Sequence, residues 1–203
     1  MKRVGVLDYG LGNLRSVSLA LVRLGAVVTV SDDWHQLELC DGLVLPGVGA
    51  FAACMAGLAN GGHQDRLGEW VKTDRPLLGI CVGHQVLFSR GVEHGVTTAG
   101  LGILSGDVEQ LTAKRLPHMG WDTIEAPPGS AMFEGVANER FYFVHSYAVI
   151  APARDLSVAL CRYESDSFVA AVEHGNIWST QFHPEKSGTP GAGLLANWLR
   201  IVC

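Results

Sequence analysis

The sequence has no uninterrupted apolar run near the roughly 18 residues that a bilayer-spanning helix needs, and its apolar start is broken at Asp8. Such a start is too short for the apolar core of a secretion signal, so the expectation is a cytoplasmic chain with no membrane partner. Basic clusters are missing too: none exceeds the pair Lys114-Arg115, and the formal net charge is −5. That balance offers nothing to the phosphates of a nucleic acid. The five cysteines (40, 54, 81, 161 and 203) are odd in number and scattered, with no CxxC pair. The pattern argues against a disulfide framework and against a structural zinc site. Burial as small apolar residues is the ordinary expectation for most of them. Linkers, repeats and low-complexity segments are also lacking, so residues 1–203 read as one domain. Charged residues are scarce at 17%, against 48% hydrophobic, which suits a compact globule.

Glycine, by contrast, is plentiful at 25 residues, which calls for tight turns or close backbone approaches. Residues 3–8 alternate as a strand, and Leu14, Val17, Leu21 and Leu24 then fall on one face at helical spacing, closed by Gly25. Strands are expected at 26–30, 42–45 and 76–80, with helices at 50–59, 63–73 and 82–89. This alternation points to a parallel sheet covered on both faces. The second half is rich in strands, expected at 101–104, 108–111, 141–147, 158–163, 168–173 and 177–182. His174-Gly175-Asn176 makes a tight hairpin turn before the last of them, and a helix at about 191–201 ends the chain. The fold class is therefore α/β: one central mixed, mostly parallel sheet flanked by helices, with a strand-rich second half.

Chemistry concentrates in two stretches. In Gly79-Ile80-Cys81-Val82-Gly83-His84-Gln85 an apolar strand runs straight into a helix, with a cysteine at the join and glycines two residues to either side. This is the thiol version of a nucleophile elbow: side chains at the flanking positions would collide in so sharp a turn. The helix N-terminus offers free N–H groups and a positive dipole end, both of which favour thiolate. The second stretch is Phe182-His183-Pro184-Glu185. In an extended segment residues two apart project to one side, so His183 and Glu185 can share a face. A thiol nucleophile needs a base, and the base needs a group to fix its tautomer. With a single histidine and a single carboxylate nearby, metal binding is the weaker reading.

Together these stretches resemble the class I (triad) glutamine amidotransferases. The resemblance implies Cys81 as nucleophile toward the side-chain amide of L-glutamine, His183 as base and acid, and Glu185 as the orienting carboxylate. It implies neither a metal nor another cofactor. An oxyanion hole is needed, with the Val82 N–H as one donor and the Val48 or Gly49 amide, in Pro46-Gly47-Val48-Gly49, as the other. Gly47 lets that strand approach the substrate closely. Gln85, one helical turn past Cys81, is expected to bind glutamine. His145, Ser146 and Tyr147 are expected to hold its amino-acid end through backbone groups.

Four further stretches narrow the resemblance: Asp8–Val17, Leu45–Phe51, Leu116–Trp121 and Phe141–Tyr147. They resemble the glutaminase subunits of imidazole glycerol phosphate synthases, over nearly the whole chain. That implies a heterodimer with a cyclase subunit of (β/α)8-barrel form, which receives the ammonia and makes imidazole glycerol phosphate and an aminoimidazole carboxamide ribotide in histidine biosynthesis. Asn13, Pro117, Met119 and Trp121 are then expected at the partner interface, with packing in the core as the alternative for the last three. The Leu116–Trp121 patch reads as loop.

Two positions depart from these relatives' pattern. His84 stands where an apolar residue is usual, and packing is favoured for it over a polar role. Asp122 follows Gly120-Trp121 where asparagine is common. Histidines 35, 63, 94 and 174 read as solvated, while His118 is assigned to the interface and His145 to the substrate's vicinity, with backbone roles explaining their segments equally well. Two competing functions are a glutaminase serving another acceptor and a catalytically silent regulatory subunit. The intact triad speaks against the second.

Overall fold

The computed structural model describes residues 1–151 and 156–202; Cys203, among the cysteines read above, lies outside them. Strands β1 (Arg3–Leu7), β2 (Val27–Ser31), β3 (Gly42–Gly47) and β4 (Leu77–Cys81) alternate with helices α1 (Leu14–Arg23), α2 (Trp34–Leu37), α3 (Phe51–Asn60) and α4 (His63–Lys72). Every residue of β3 and β4 is buried, as expected of strands covered on both faces. Gly42 in β3 is small for a reason, since a Cβ there would meet Trp198 and Val202 from the C-terminal end of the chain. The short α2 was not expected from the sequence; Asp33 caps it by accepting from the His35 N–H.

Past β4 come α5 (Val82–Gln85), β5 (Arg90–Glu93), β6 (Val96–Ala99), β7 (Asp107–Gln110) and β8 (His118–Thr123). These are followed by β9 (Arg140–His145), β10 (Tyr147–Val149), β11 (Ser157–Tyr163), β12 (Asp166–His174), β13 (Ile177–Thr180) and α6 (Gly188–Ile201). The central sheet has seven strands in the order β11-β12-β13-β4-β3-β1-β2. Its pairs from β13 to β2 are parallel, and β12 and β11 join antiparallel, so it is mixed and mostly parallel. The mixed α/β fold expected from the sequence is the fold found.

Five details differ. The helix expected over 82–89 stops at Gln85, because the carbonyls of Val86, Leu87 and Phe88 accept from the amides of Leu101, Leu104 and Gly102. That arrangement also overturns the strand expected at 101–104: its apolar residues lie in a loop bonded to the end of α5. The β5–β6 hairpin was missed; it turns on His94-Gly95, both at positive φ, as a two-residue turn of this kind requires. The patch read as loop at 116–121 carries a strand, β8, paired with β9. The strand expected over 141–147 divides at Ser146, β9 pairing with β8 and β10 with β7.

Candidate active site

Cys81 ends β4 and opens α5 with φ 56° and ψ −111°, a conformation that costs an L-residue on the order of 1–3 kcal/mol. The glycines expected around it are needed for the reason given. A Cβ on Gly79 would lie 2.8 Å from the Gly83 carbonyl oxygen, and one on Gly83 would lie 1.9 Å from that of Leu45. A Cβ on Gly47, which pairs with Cys81 across the sheet, would fall 2.4 Å from the Gly83 nitrogen. Thus β3, β4 and α5 press together here with no room for side chains, and the sulfur is driven out of the sheet.

The second stretch arrives beside it. After β13 the chain leaves the ladder, and a 3-10 turn at Pro184–Lys186 supplies the bend that lets His183 and Glu185 meet. His183 Nδ1 lies 2.9 Å from Glu185 Oε1, and both side chains are buried. Burial works against charge on the His183 ring, but hydrogen bonds with Cys81 and Glu185 outweigh it and raise the group to about 9. The ring therefore keeps its proton through the neutral range, next to the sulfur. Asn13 Nδ2 also donates to Glu185 Oε1, at 3.3 Å, so this expected interface residue braces the carboxylate that His183 faces. The His183 loop is clasped to β9: its N–H donates to the Tyr142 carbonyl, and Ser187 Oγ accepts from the Tyr142 N–H while donating to the His183 carbonyl. Ser187→Ala leaves the Tyr142 N–H unpaired, a loss expected to cost about 1–3 kcal/mol. Thermal denaturation measures that cost directly, and the loosened loop should also lower the turnover number.

Cys81 and His183 face a cavity of about 250 Å³. Val48, Gly49, Val82, Gln85, His145, Ser146 and Tyr147 line it with them. Gly47 is packed behind this lining. The Val48 carbonyl accepts from Cys54 Sγ in α3, which turns the N–H of that same peptide, on Gly49, the opposite way. Gln85 Nε2 donates to the Tyr147 carbonyl at 2.8 Å and to Gln181 Oε1 at 2.9 Å. Gln181, fully buried, in turn points its Nε2 at Cys81 Sγ, 3.9 Å away. The sequence reading missed Gln181, although it sits two residues before His183. It also missed Glu93 and Lys186, which line the cavity; Glu93 comes from the unexpected hairpin, where its Oε2 caps α3 at the Phe51 N–H.

The remaining assignments divide. Met119 is 62% and Trp121 49% exposed, and Pro117 is exposed too, so packing in the core is not their role. His118, assigned to the interface, is instead buried, stacked between Phe143 and Tyr163, because β8 turns it inward as Met119 turns out. His145 lines the cavity as expected; burial foremost, and then His118, hold it at about 3. His84 is fully buried edge-on to Phe88, as the packing reading had it, with one polar anchor, Nδ1 at 2.8 Å from Ser179 Oγ. His63, read as solvated, is buried and accepts from Trp34 Nε1. Cys40, Cys54 and Cys161 are free and buried.

Known proteins are similar to this chain. The family profile for glutamine amidotransferase class-I matches residues 5–202. The imidazole glycerol phosphate synthase subunit HisH of Corynebacterium glutamicum is 53% identical, over 99% of each chain. That of Thermobifida fusca is 52% identical, over 98% of this chain and 99% of its own. Among solved structures, a glutamine amidotransferase superposes with a TM-score of 0.78 at 24% identity, covering 98% of both chains.

Proposed function

The chain belongs to the class I glutamine amidotransferases, and within them to the family of imidazole glycerol phosphate synthase HisH subunits, and from that premise we propose the following reaction in its cavity. The chain hydrolyses glutamine to glutamate and ammonia for the synthesis of imidazole glycerol phosphate in histidine biosynthesis. One observation carries the residue assignments: a strained cysteine and a histidine backed by Glu185, far apart in sequence, open on one cavity.

Cys81 Sγ attacks the carbon of the glutamine side-chain amide. The oxyanion formed is held by the Val82 N–H and by the amide of Val48 or Gly49. His183, oriented by Glu185, gives its proton to the amide nitrogen, so that ammonia leaves and a glutamyl thioester remains. His183 then takes a proton from water as the water attacks the thioester, which releases glutamate and frees Cys81 Sγ. Gln85, His145, Ser146 and Tyr147 in the cavity lining hold the amino-acid end of glutamine. Glu93 supplies a negative charge for its ammonium group and Lys186 a positive one for its carboxylate.

The chain works as a subunit, in the cytoplasm. Its partner is a cyclase of (β/α)8-barrel form, docked in a heterodimer over Asn13, Pro117, Met119 and Trp121, so that ammonia reaches its acceptor without dilution in water. Exposed Trp and Met side chains are what such an interface would cover. The test is glutamine hydrolysis with and without the cyclase and its nucleotide, for the native chain and for Trp121→Ala. Stimulation by the partner is expected, with the partner's dissociation constant raised about 30-fold in the variant, a typical loss for an aromatic anchor. Hydrolysis indifferent to the cyclase would reject this partner and leave the glutaminase chemistry standing.

A further inference from the structure

A line of buried imidazoles joins β8 to the wall of the cavity. His118 Nε2 lies 3.4 Å from Asp122 Oδ2. Its Nδ1 lies 3.3 Å from His145 Nε2, and His145 Nδ1 lies 3.0 Å from the Tyr147 carbonyl oxygen. That carbonyl is the one that also receives Gln85 Nε2, and Gln85 leads through Gln181 to Cys81 Sγ. His118 is 2% exposed, whereas Asp122 is 36% exposed and can exchange protons with solvent.

Counting hydrogens along this line shows a deficit. A carbonyl only accepts, so His145 must carry its proton on Nδ1 and offer a lone pair from Nε2. His118 must then place its own proton on Nδ1, and its Nε2 is left facing the Asp122 carboxylate, lone pair against lone pair. Two neutral imidazoles cannot fill three contacts between two acceptor ends. One added proton, on His118 Nε2, fills all of them and creates an imidazolium–carboxylate pair. The His118 ring is sandwiched for that charge, its centroid 4.0 Å from Tyr163 and 4.9 Å from Phe143, nearly parallel to both. An asparagine at 122 would close the line without any added proton, because its amide donates.

We propose that Asp122 is a positioning residue for the glutaminase reaction, making the cavity wall of His145, Tyr147 and Gln85 depend on one proton held along Asp122, His118 and His145. The inference rests on reading the cavity as the glutamine site. The groups facing the line are few: Asp122 on His118's own strand, Tyr163 of β11, and, around His145, His84 of α5 and His183. Cys161 of β11 senses Asp122 but is itself pushed up to about 12, chiefly by burial. Burial lowers His118 while Asp122 raises it, with burial prevailing, so the proton enters on the acid side of the ordinary histidine value of about 6.5. The filled line, and the firmest wall, therefore belong to acid pH, and one contact is lost as pH rises.

Asp122→Asn tests this, since it is isosteric and partly exposed. Glutamine kcat and KM are to be measured for both proteins, in complex with the cyclase, from about pH 5 to pH 8, across the ordinary histidine range. In the native chain KM is expected to rise about fivefold across that range, the worth of one hydrogen bond, with the ratio of native to variant KM rising alongside it. The variant should keep the low KM throughout. Taking the ratio cancels titrations the two proteins share. Imidazole 15N spectra supply the second readout: on acidification His118 Nε2 should gain a proton in the native chain and not in the variant. Coincident KM profiles, or His118 titrating alike in both proteins, would overturn the relay while leaving Cys81-dependent hydrolysis intact. Loss of hydrolysis in the native chain with the 15N difference present would sink the glutamine assignment and not the proton count.

Discussion

Cys81→Ala is expected to lower glutamine turnover in the partner-bound enzyme by roughly 10⁴-fold or more, the scale seen when a covalent nucleophile is removed, while glutamine still binds. Among the described residues no neighbour can take over. Cys54 lies behind the Val48 carbonyl and is spent as its donor, and Cys40 and Cys161 are buried away from the cavity lining. The remaining hydroxyls that line it, on Ser146 and Tyr147, have beside them His145, whose Nδ1 faces the Tyr147 carbonyl and which has no carboxylate partner like that of His183. Binding should survive because Gln85, Glu93 and the Tyr147 backbone do not touch the sulfur. Turnover by the alanine variant at the native rate would remove Cys81 from the mechanism.

Stability separates the roles of that residue further. The positive φ at Cys81 is as unfavourable for alanine as for cysteine, so Cys81→Ala should melt close to the native protein. Cys81→Gly removes the strain and should be the more stable of the two variants by about 1 kcal/mol, although both are inactive. Such an order would show that the elbow holds its conformation for the sake of the sulfur's position.

How much of this was legible in the sequence depends on how local each feature is. The elbow was, because a strand, a nucleophile and a helix follow one another directly, and because Gly79 and Gly83 report a steric need of the turn itself. The His183–Glu185 pair was legible for the same reason. Asn13 was placed at the interface and not on Glu185, since the two are 172 residues apart and only the packing of α1 beside the His183 loop brings them together. Glu93 depended on a hairpin whose His94-Gly95 turn gives a weaker signal than Asn-Gly. The strand β8 was hidden because its outward residues, Met119 and Trp121, are as apolar as an inward face would be. His118, its one fully inward histidine, looked polar. Alternation identifies a strand only when one face is wet and the residues agree; here the surface is apolar and the core holds a charged-type ring.

Gly83→Ala carries the other large expectation, because its obstacle is the backbone of β3. The new Cβ would stand 1.9 Å from the Leu45 oxygen, 2.9 Å from the Leu45 carbonyl carbon and 3.1 Å from that of Pro46. No rotamer change relieves this. Either β3 moves away from α5, breaking its pairing with β4 at Pro46 and Gly47, or α5 tilts and carries Cys81 with it. The cost is expected at about 3 kcal/mol or more, the upper range for overpacking. That lowers the melting temperature by roughly 6–12 °C in a chain of this size, and activity should fail even in the fraction still folded, because β3 leads directly into Val48 and Gly49 of the cavity lining. Gly68→Ala is the matched control. Gly68 lies inside α4 with nothing within 4 Å of its would-be Cβ, so alanine there should stabilise by about 0.5–1 kcal/mol through helix propensity alone. Opposite signs for one chemical change at two glycines would establish that close backbone packing, and not turn flexibility, is what the elbow demands; a tolerated Gly83→Ala would show that β3 can yield without disturbing the sulfur.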